Sequence, residues 1–252
     1  MLRALVLLLL TALPLSAEEV VLGLSQDKVA ITATFDGSEI LIFGAVKREE
    51  PIKPAPPLEV VITVSGPSEP ITVRRKERRF GIWVNTDTVE VDAAPTFYAV
   101  ATSASFHDTL SNVEDQRHSV SIERAIRSVG APSSIEDSQN FTRALIRIRK
   151  DQGLYQRLEQ AVQVDEQTLF RTSIKMPANL TEGEYPTRIF LTRGGEVVSQ
   201  LETTIDVDKV GLERWLYDLS RQKPLIYGLM SLAIAIAAGW GASAAFRLLR
   251  QG

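Results

Sequence analysis

From Pro224 to Phe246 the chain runs for 23 positions without a charged residue, with Arg221 and Lys223 on one side and Arg247 and Arg250 on the other. At 1.5 Å per residue this predicts a helix of about 34 Å, enough to cross the ~30 Å hydrocarbon layer of a membrane with some tilt. A second apolar run, Ala4 to Leu13, is too short to span. With Arg3 before it and Ala17 ahead of Glu18 and Glu19, residues 1–17 read as a secretory signal cut after Ala17, the alternative being a retained anchor. Together the two segments place residues 18 to about 220 outside the cytoplasm and the tail 247–252 inside. Basic residues flank both ends of the span, so the orientation rests on the signal.

Between these ends the pattern is first that of short strands. Val20–Leu24, Val29–Phe35, Ile40–Val46, Leu58–Ser65, Ile71–Arg75, Phe80–Asn85, Thr88–Asp92 and Phe97–Thr102 are β-rich runs. They are separated by turn residues such as Asp36-Gly37-Ser38 and by the prolines at 51, 54, 56 and 57. The period then changes. Ile122, Ala125, Ile126 and Val129 fall at helical spacing, ended by Gly130-Ala131-Pro132, and Asp137 caps a second helix. Its stripe is Phe141, Leu145, Ile148, Tyr155, Leu158 and Val162, with Gly153 inside it. Strand character returns at Thr168–Lys175, Pro186–Thr192 and Val197–Val207, the last two joined by Arg193-Gly194-Gly195-Glu196.

The expected fold is therefore mainly β with a helical insertion: an immunoglobulin-like β-sandwich plus one C-terminal transmembrane helix. Residues 18–105 begin the sandwich, 106–166 are the insertion, 167–208 close it, 209–223 form a juxtamembrane segment and 224–246 the span. Gly183-Glu184-Tyr185 at a strand entry suits the tyrosine corner of such sandwiches. Two separate small β domains are the alternative.

Near the membrane, Leu212, Trp215, Leu216 and Leu219 lie on one helical face. This predicts either an amphipathic helix on the bilayer surface or a continuous helix into the span through Pro224. Trp215, Tyr227 and Trp240 are the candidate interface residues. Within the span Ser231, Ala235, Gly239 and Ser243 recur every four positions, a small-residue face on which another helix could pack.

Composition narrows the chemistry. There is no cysteine and there are only two histidines, which removes disulfides and thiolate sites and leaves little for zinc or triads. Lys+Arg number 28 against 31 Asp+Glu, and loss of residues 1–17 leaves 27 against 31, a formal charge of −4. This balance argues against nucleic acid as a partner. No phosphate loop, dinucleotide fingerprint or nucleophile elbow appears. His107, Asp108, Glu114, Asp115 and His118 could in principle form a metal or acid–base site, but read more simply as a polar loop. Arg74, Arg75, Lys76, Arg78 and Arg79 could meet anionic lipid or a polyanion, or could guard the exposed edge of a hairpin.

Several stretches carry a resemblance. They include Gly81-Ile82-Trp83-Val84-Asn85, Pro95-Thr96-Phe97-Tyr98-Ala99-Val100, Met176-Pro177-Ala178-Asn179, Gly183-Glu184-Tyr185 and Pro224-Leu225-Ile226-Tyr227-Gly228 through Gly239-Trp240. With them the mature chain resembles the putative transmembrane protein family of alphaproteobacteria, whose function is unknown. The resemblance implies an inner-membrane protein with a periplasmic domain, and supplies no catalytic or ligand residue. The functional expectation is a non-enzymatic accessory or scaffold, without cofactor, whose partners are membrane lipid and an envelope or transporter protein. The alternative is a periplasmic small-molecule-binding or sensory module.

Overall fold

The computed structural model describes residues 18–25, 28–31, 37–48, 55–128, 137–209 and 212–251. The expected signal segment 1–17, Val129 and the expected helix stop at Gly130-Ala131-Pro132 lie outside them. The chain divides into two compact units, one of Met1–Val29 and Asp36–Val207, the other of Ala30–Phe35 and Asp208–Gly252.

In the first unit, β1 (Glu18–Leu24), β3 (Ser38–Arg48), β10 (Leu169–Met176) and β9 (Gln163–Asp165) form an antiparallel sheet in the order β1-β3-β10-β9. Its period-two pattern is plain on β10, where Phe170, Thr172, Ile174 and Met176 are buried and the residues between them exposed. On β3 the buried positions are Ile40, Ile42, Gly44 and Val46. Gly44 keeps the series without a side chain and pairs with Phe170.

A second, mixed sheet has the order β2 (Lys28–Ile31), β12 (Glu196–Lys209), β11 (Gly183–Arg193), β4 (Leu58–Ser65), β7 (Tyr98–Thr102), β8 (Tyr155–Leu158). Central β4 and β7 are buried on both faces, so Val60-Val61-Ile62 and Tyr98 to Thr102 read as continuous runs rather than alternations. Gly194 and Gly195, both at positive φ, make the two-residue turn between β11 and β12. Tyr185 at the start of β11 donates its hydroxyl to the Thr181 carbonyl at 2.7 Å, a local bond back to the turn before the strand.

β5 (Ser68–Arg79) and β6 (Ile82–Pro95) form a long hairpin of their own. Its turn is Phe80-Gly81, with φ of 51° and 85°. Where the sequence pattern predicts two strands over 80–92, one strand runs from Ile82, because Gly81 accepts the left-handed conformation and folds the chain back there.

The region 106–166 differs from a plain helical pair. It contains α1 (Phe106–Thr109), α2 (Asn112–His118), α3 (Ile122–Ala125), α4 (Ser138–Asp151) and the strands β8 and β9. The predicted helix at Ile122 is one turn long, after which Arg127 bridges to Ala93. α4 stops ahead of Gly153, whose φ is +71°, and Tyr155–Leu158 pairs in parallel with β7 instead of extending the helical stripe. Ile148 is 47% exposed, and Ile146 joins Phe141 and Leu145 as the buried face of α4. Asp137 occupies the N-cap position but makes no side-chain cap bond; it pairs with Arg75 at 2.5 Å.

In the second unit, α5 (Leu212–Gln222) is followed after one residue by α6 (Pro224–Gln251). Lys223 N donates to Leu219 O at 3.0 Å and Tyr227 N to Lys223 O at 3.1 Å, so helical bonding continues on both sides of Pro224. Proline is tolerated there as a first helical residue.

Candidate functional site

The longest apolar element is α6. Pro224–Ser243 is long and apolar enough to cross a membrane, and none of this window is buried by the rest of the protein. Ser231, Ala235, Gly239 and Ser243 are all exposed along it. Ser231 turns its hydroxyl back to the Tyr227 carbonyl at 2.9 Å, so in this state it is satisfied by its own helix. Nothing lies within 4 Å of where a Cβ on Gly239 would sit, which leaves that position open to a neighbour. Trp215, Tyr227 and Trp240 are likewise exposed. Tyr227 and Trp240 stand about 20 Å apart along the helix, less than the ~30 Å hydrocarbon thickness. Trp215 extends the aromatic series toward the extramembranous side. The Arg221 guanidinium lies 5.6 Å from the Tyr217 ring centroid.

The five basic residues of the β5–β6 hairpin do not act alike. Arg75 pairs with Asp87 at 3.5 Å and with Asp137, and lies 4.7 Å over the Phe141 ring, which ties the hairpin base to α4. Hydrogen bonds from Asn140 and then Arg75 hold the Asp137 carboxyl below its ordinary range. Arg79 pairs with Glu77 at 3.3 Å. Arg74, Lys76 and Arg78 have no ion-pair partner among the described residues. Their neighbours at the turn, Phe80, Ile82 and Trp83, are large apolar side chains exposed to water. The strand pattern gives no sign of that exposure, since alternation predicts a buried face.

The helices α1 to α4 line an open cleft of about 600 Å³ with Phe106, His107, Asp115, Arg124, Arg143 and Arg157 on its walls. Asp115 is buried and accepts four hydrogen bonds. Oδ1 takes Val120 N at 3.1 Å and Ser121 N at 2.7 Å, and Oδ2 takes Ser121 Oγ at 2.9 Å and Arg124 Nε at 3.0 Å. It therefore organises the turn between α2 and α3. The histidines take different partners: His107 sets its ring edge against Phe106, and His118 pairs with Glu114 at 3.3 Å and packs on Phe190. Among the described residues no group of three His, Asp or Glu side chains gathers to hold a metal ion.

Two interactions that pattern reading missed fix the ends of strands. Arg48 and Arg193 converge on Glu18, with Arg48 Nε at 2.9 Å and Arg193 Nε and Nη2 at 3.1 and 2.7 Å. The Arg193 bonds lead in holding the Glu18 carboxyl below the usual range, against the opposing pull of burial. Burial pushes the phenols of Tyr98 and Tyr155 up to about 12, and each donates to a backbone carbonyl, Val120 O at 2.7 Å and Pro95 O at 2.8 Å. Ion pairs 175 or 30 positions apart in the chain leave no local signature.

A model of the family described as "Putative transmembrane protein" matches residues 19–248. No curated protein matches the chain.

Proposed function

From the premise that the chain belongs to this transmembrane protein family, we propose that it is a membrane-anchored accessory or scaffold protein. Its β-rich extramembranous domain, an immunoglobulin-like sandwich in this reading, lies in the periplasm and binds another envelope protein, with a transporter as the first candidate. The inner membrane holds the anchor, the C-terminal tail faces the cytoplasm and the role is non-enzymatic. The tyrosine-corner bond of Tyr185 supports the sandwich reading. The observation that carries the functional one is α6: an apolar helix with an exposed small-residue stripe, joined to a large β-rich domain. In lipid no hydrophobic force separates helix from tail, so close approach at Gly and Ala is what favours a helical neighbour.

Crosslinking of the full-length protein in cells, with mass spectrometry of the captured species, tests this. Capture of one envelope protein that is lost when residues 224–246 are replaced by an unrelated span supports packing on α6. Capture in both forms moves the contact to the extramembranous domain. Absence of any specific capture overturns the scaffold reading. Gly239→Leu is expected to weaken the complex while the β-rich domain stays folded.

A second reading, small-molecule binding, is favoured by the cleft of α1 to α4, where Arg124, Arg143 and Arg157 border one opening. Arg124 is already held by Asp115 and Arg157 by Glu159, which leaves Arg143 as the more available cation. Calorimetric titration with small dicarboxylates and phosphates separates this reading from the first.

A further inference from the structure

Of residues 76–86 only Val84 and Thr86 are half-buried; all the others are exposed, so the end of the β5–β6 hairpin stands clear of the body. In its register Arg78 faces Trp83 and Lys76 faces Asn85. Alternation along β5 then puts Arg74, Lys76, Arg78 and Trp83 on one face. The other face carries Arg75, Glu77 and Arg79, where charge is neutralised locally by the pairs Arg75–Asp87, Arg75–Asp137 and Arg79–Glu77. Toward its tip the hairpin is thus basic on one side only, and its three cations there have no ion-pair partner among the described residues. Glu90, opposite Thr72, and Asp92 lie on the same face nearer the base. At the tip, Phe80 is fully exposed and Ile82 and Trp83 are 64% and 68% exposed. Edge protection accounts for arginine and lysine on such a strand pair. It does not account for three large apolar side chains at the end.

We propose that this hairpin tip is a second, peripheral membrane contact. Phe80, Ile82 and Trp83 enter the boundary between headgroups and acyl chains of an anionic bilayer, and Arg74, Lys76 and Arg78 bind the lipid phosphates. The tip is convex, and aromatic side chains beside a basic collar match the chemistry of that boundary. The chain carries a helix long and apolar enough to cross a membrane, so a bilayer is among the surfaces this protein meets. An acidic protein could satisfy the three cations, but would need a pocket for the apolar tip as well. The proposal is independent of the partner-binding role.

The test uses the full-length chain. Of its three tryptophans, Trp215 and Trp240 are replaced by phenylalanine so that Trp83 alone reports. The protein is reconstituted into phosphatidylcholine vesicles, and into vesicles with about one third phosphatidylglycerol, each with and without brominated acyl chains. The expected result is blue-shifted Trp83 emission and bromine quenching in the anionic vesicles, both reduced at high salt. Combined Arg74→Glu, Lys76→Glu and Arg78→Glu substitutions should abolish both, with the thermal unfolding midpoint unchanged because the sites are exposed. Water-like, unquenched emission in anionic vesicles overturns the proposal. So does quenching that ignores the charge reversal, or a shift seen only when an acidic protein is added.

Discussion

The ring of Phe170 covers Gly44 on the neighbouring strand so closely that a Cβ on Gly44 would lie 2.4 Å from the ring and 2.7 Å from the Val21 carbonyl. Phe170 is buried and directly paired with Gly44, so the glycine is what lets the ring lie flat in the core. Gly44→Ala should destabilise the protein by about 1–3 kcal/mol, the usual cost of overpacking. A fall in the urea midpoint with unchanged slope would confirm it. Gly44→Ala with Phe170→Leu should recover part of the loss, since the smaller side chain vacates the space.

Glu18 gives the acid limb of stability. Its folded-state pKa is depressed, chiefly by the hydrogen bonds from Arg193, so its contribution is complete above the unfolded carboxylate value and is lost as pH falls through the lower folded value. Glu18→Gln should cost about 1–3 kcal/mol near neutrality, because Arg48 and Arg193 are both largely buried beside it. The difference between wild type and variant should shrink as the pH drops below about 4. A difference independent of pH would show that the pair does not titrate with folding.

The alkaline limb belongs to the buried tyrosines, Tyr98 and Tyr155 foremost, with Tyr185 raised by burial in the same direction. Burial raises Tyr98 and Tyr155 from 10.0 to about 12, so the folded chain holds protons that the unfolded chain has released. Their contribution is full below pH 10 and disappears as pH rises toward 12, with a slope approaching about 1.4 kcal/mol per pH unit for each. Tyr98→Phe should lower stability near neutrality by about 1 kcal/mol through the lost bond to Val120 O, and should flatten the alkaline fall. Urea unfolding across that range reads both effects.

How much of this was legible depends on the range over which each feature is encoded. The span was legible because 23 uncharged positions are a local composition, and the Gly194-Gly195 turn because it is a local dipeptide. The position of Tyr185 at a strand entry suggested a bond from its hydroxyl to nearby backbone, and it makes one to the Thr181 carbonyl. The break of α4 at Gly153 was half legible: the glycine was visible, but helical spacing continued across it through Tyr155, Leu158 and Val162. Tyr155 and Val162 are buried all the same, one on a strand and one in the bend just before β9, so burial survived the change of secondary structure. Phe80, Ile82 and Val84 alternate as a buried strand face would, yet the first two are exposed, because nothing packs on the end of the hairpin. The Glu18 clamp joins residues that only the finished sheets bring together.

Asp115 offers the sharpest separation of hydrogen bonding from charge. Oδ1 accepts the two backbone N–H groups of Val120 and Ser121, and Oδ2 faces the Ser121 hydroxyl and Arg124 Nε. Asp115→Ala strips the buried Val120 amide and the half-buried Ser121 amide of their acceptor and should cost about 2–4 kcal/mol. Asp115→Asn can keep the Oδ1 bonds, and its amide can still donate to the Ser121 hydroxyl. What it cannot do is accept from Arg124, so two donors would face each other there. Asn should therefore cost less than Ala, and Arg124→Met should relieve Asp115→Asn while doing nothing for Asp115→Ala. Thermal unfolding of the four variants measures this. Equal losses for Asn and Ala would mean that the Arg124 pair, rather than the two backbone bonds, is what Asp115 holds in place.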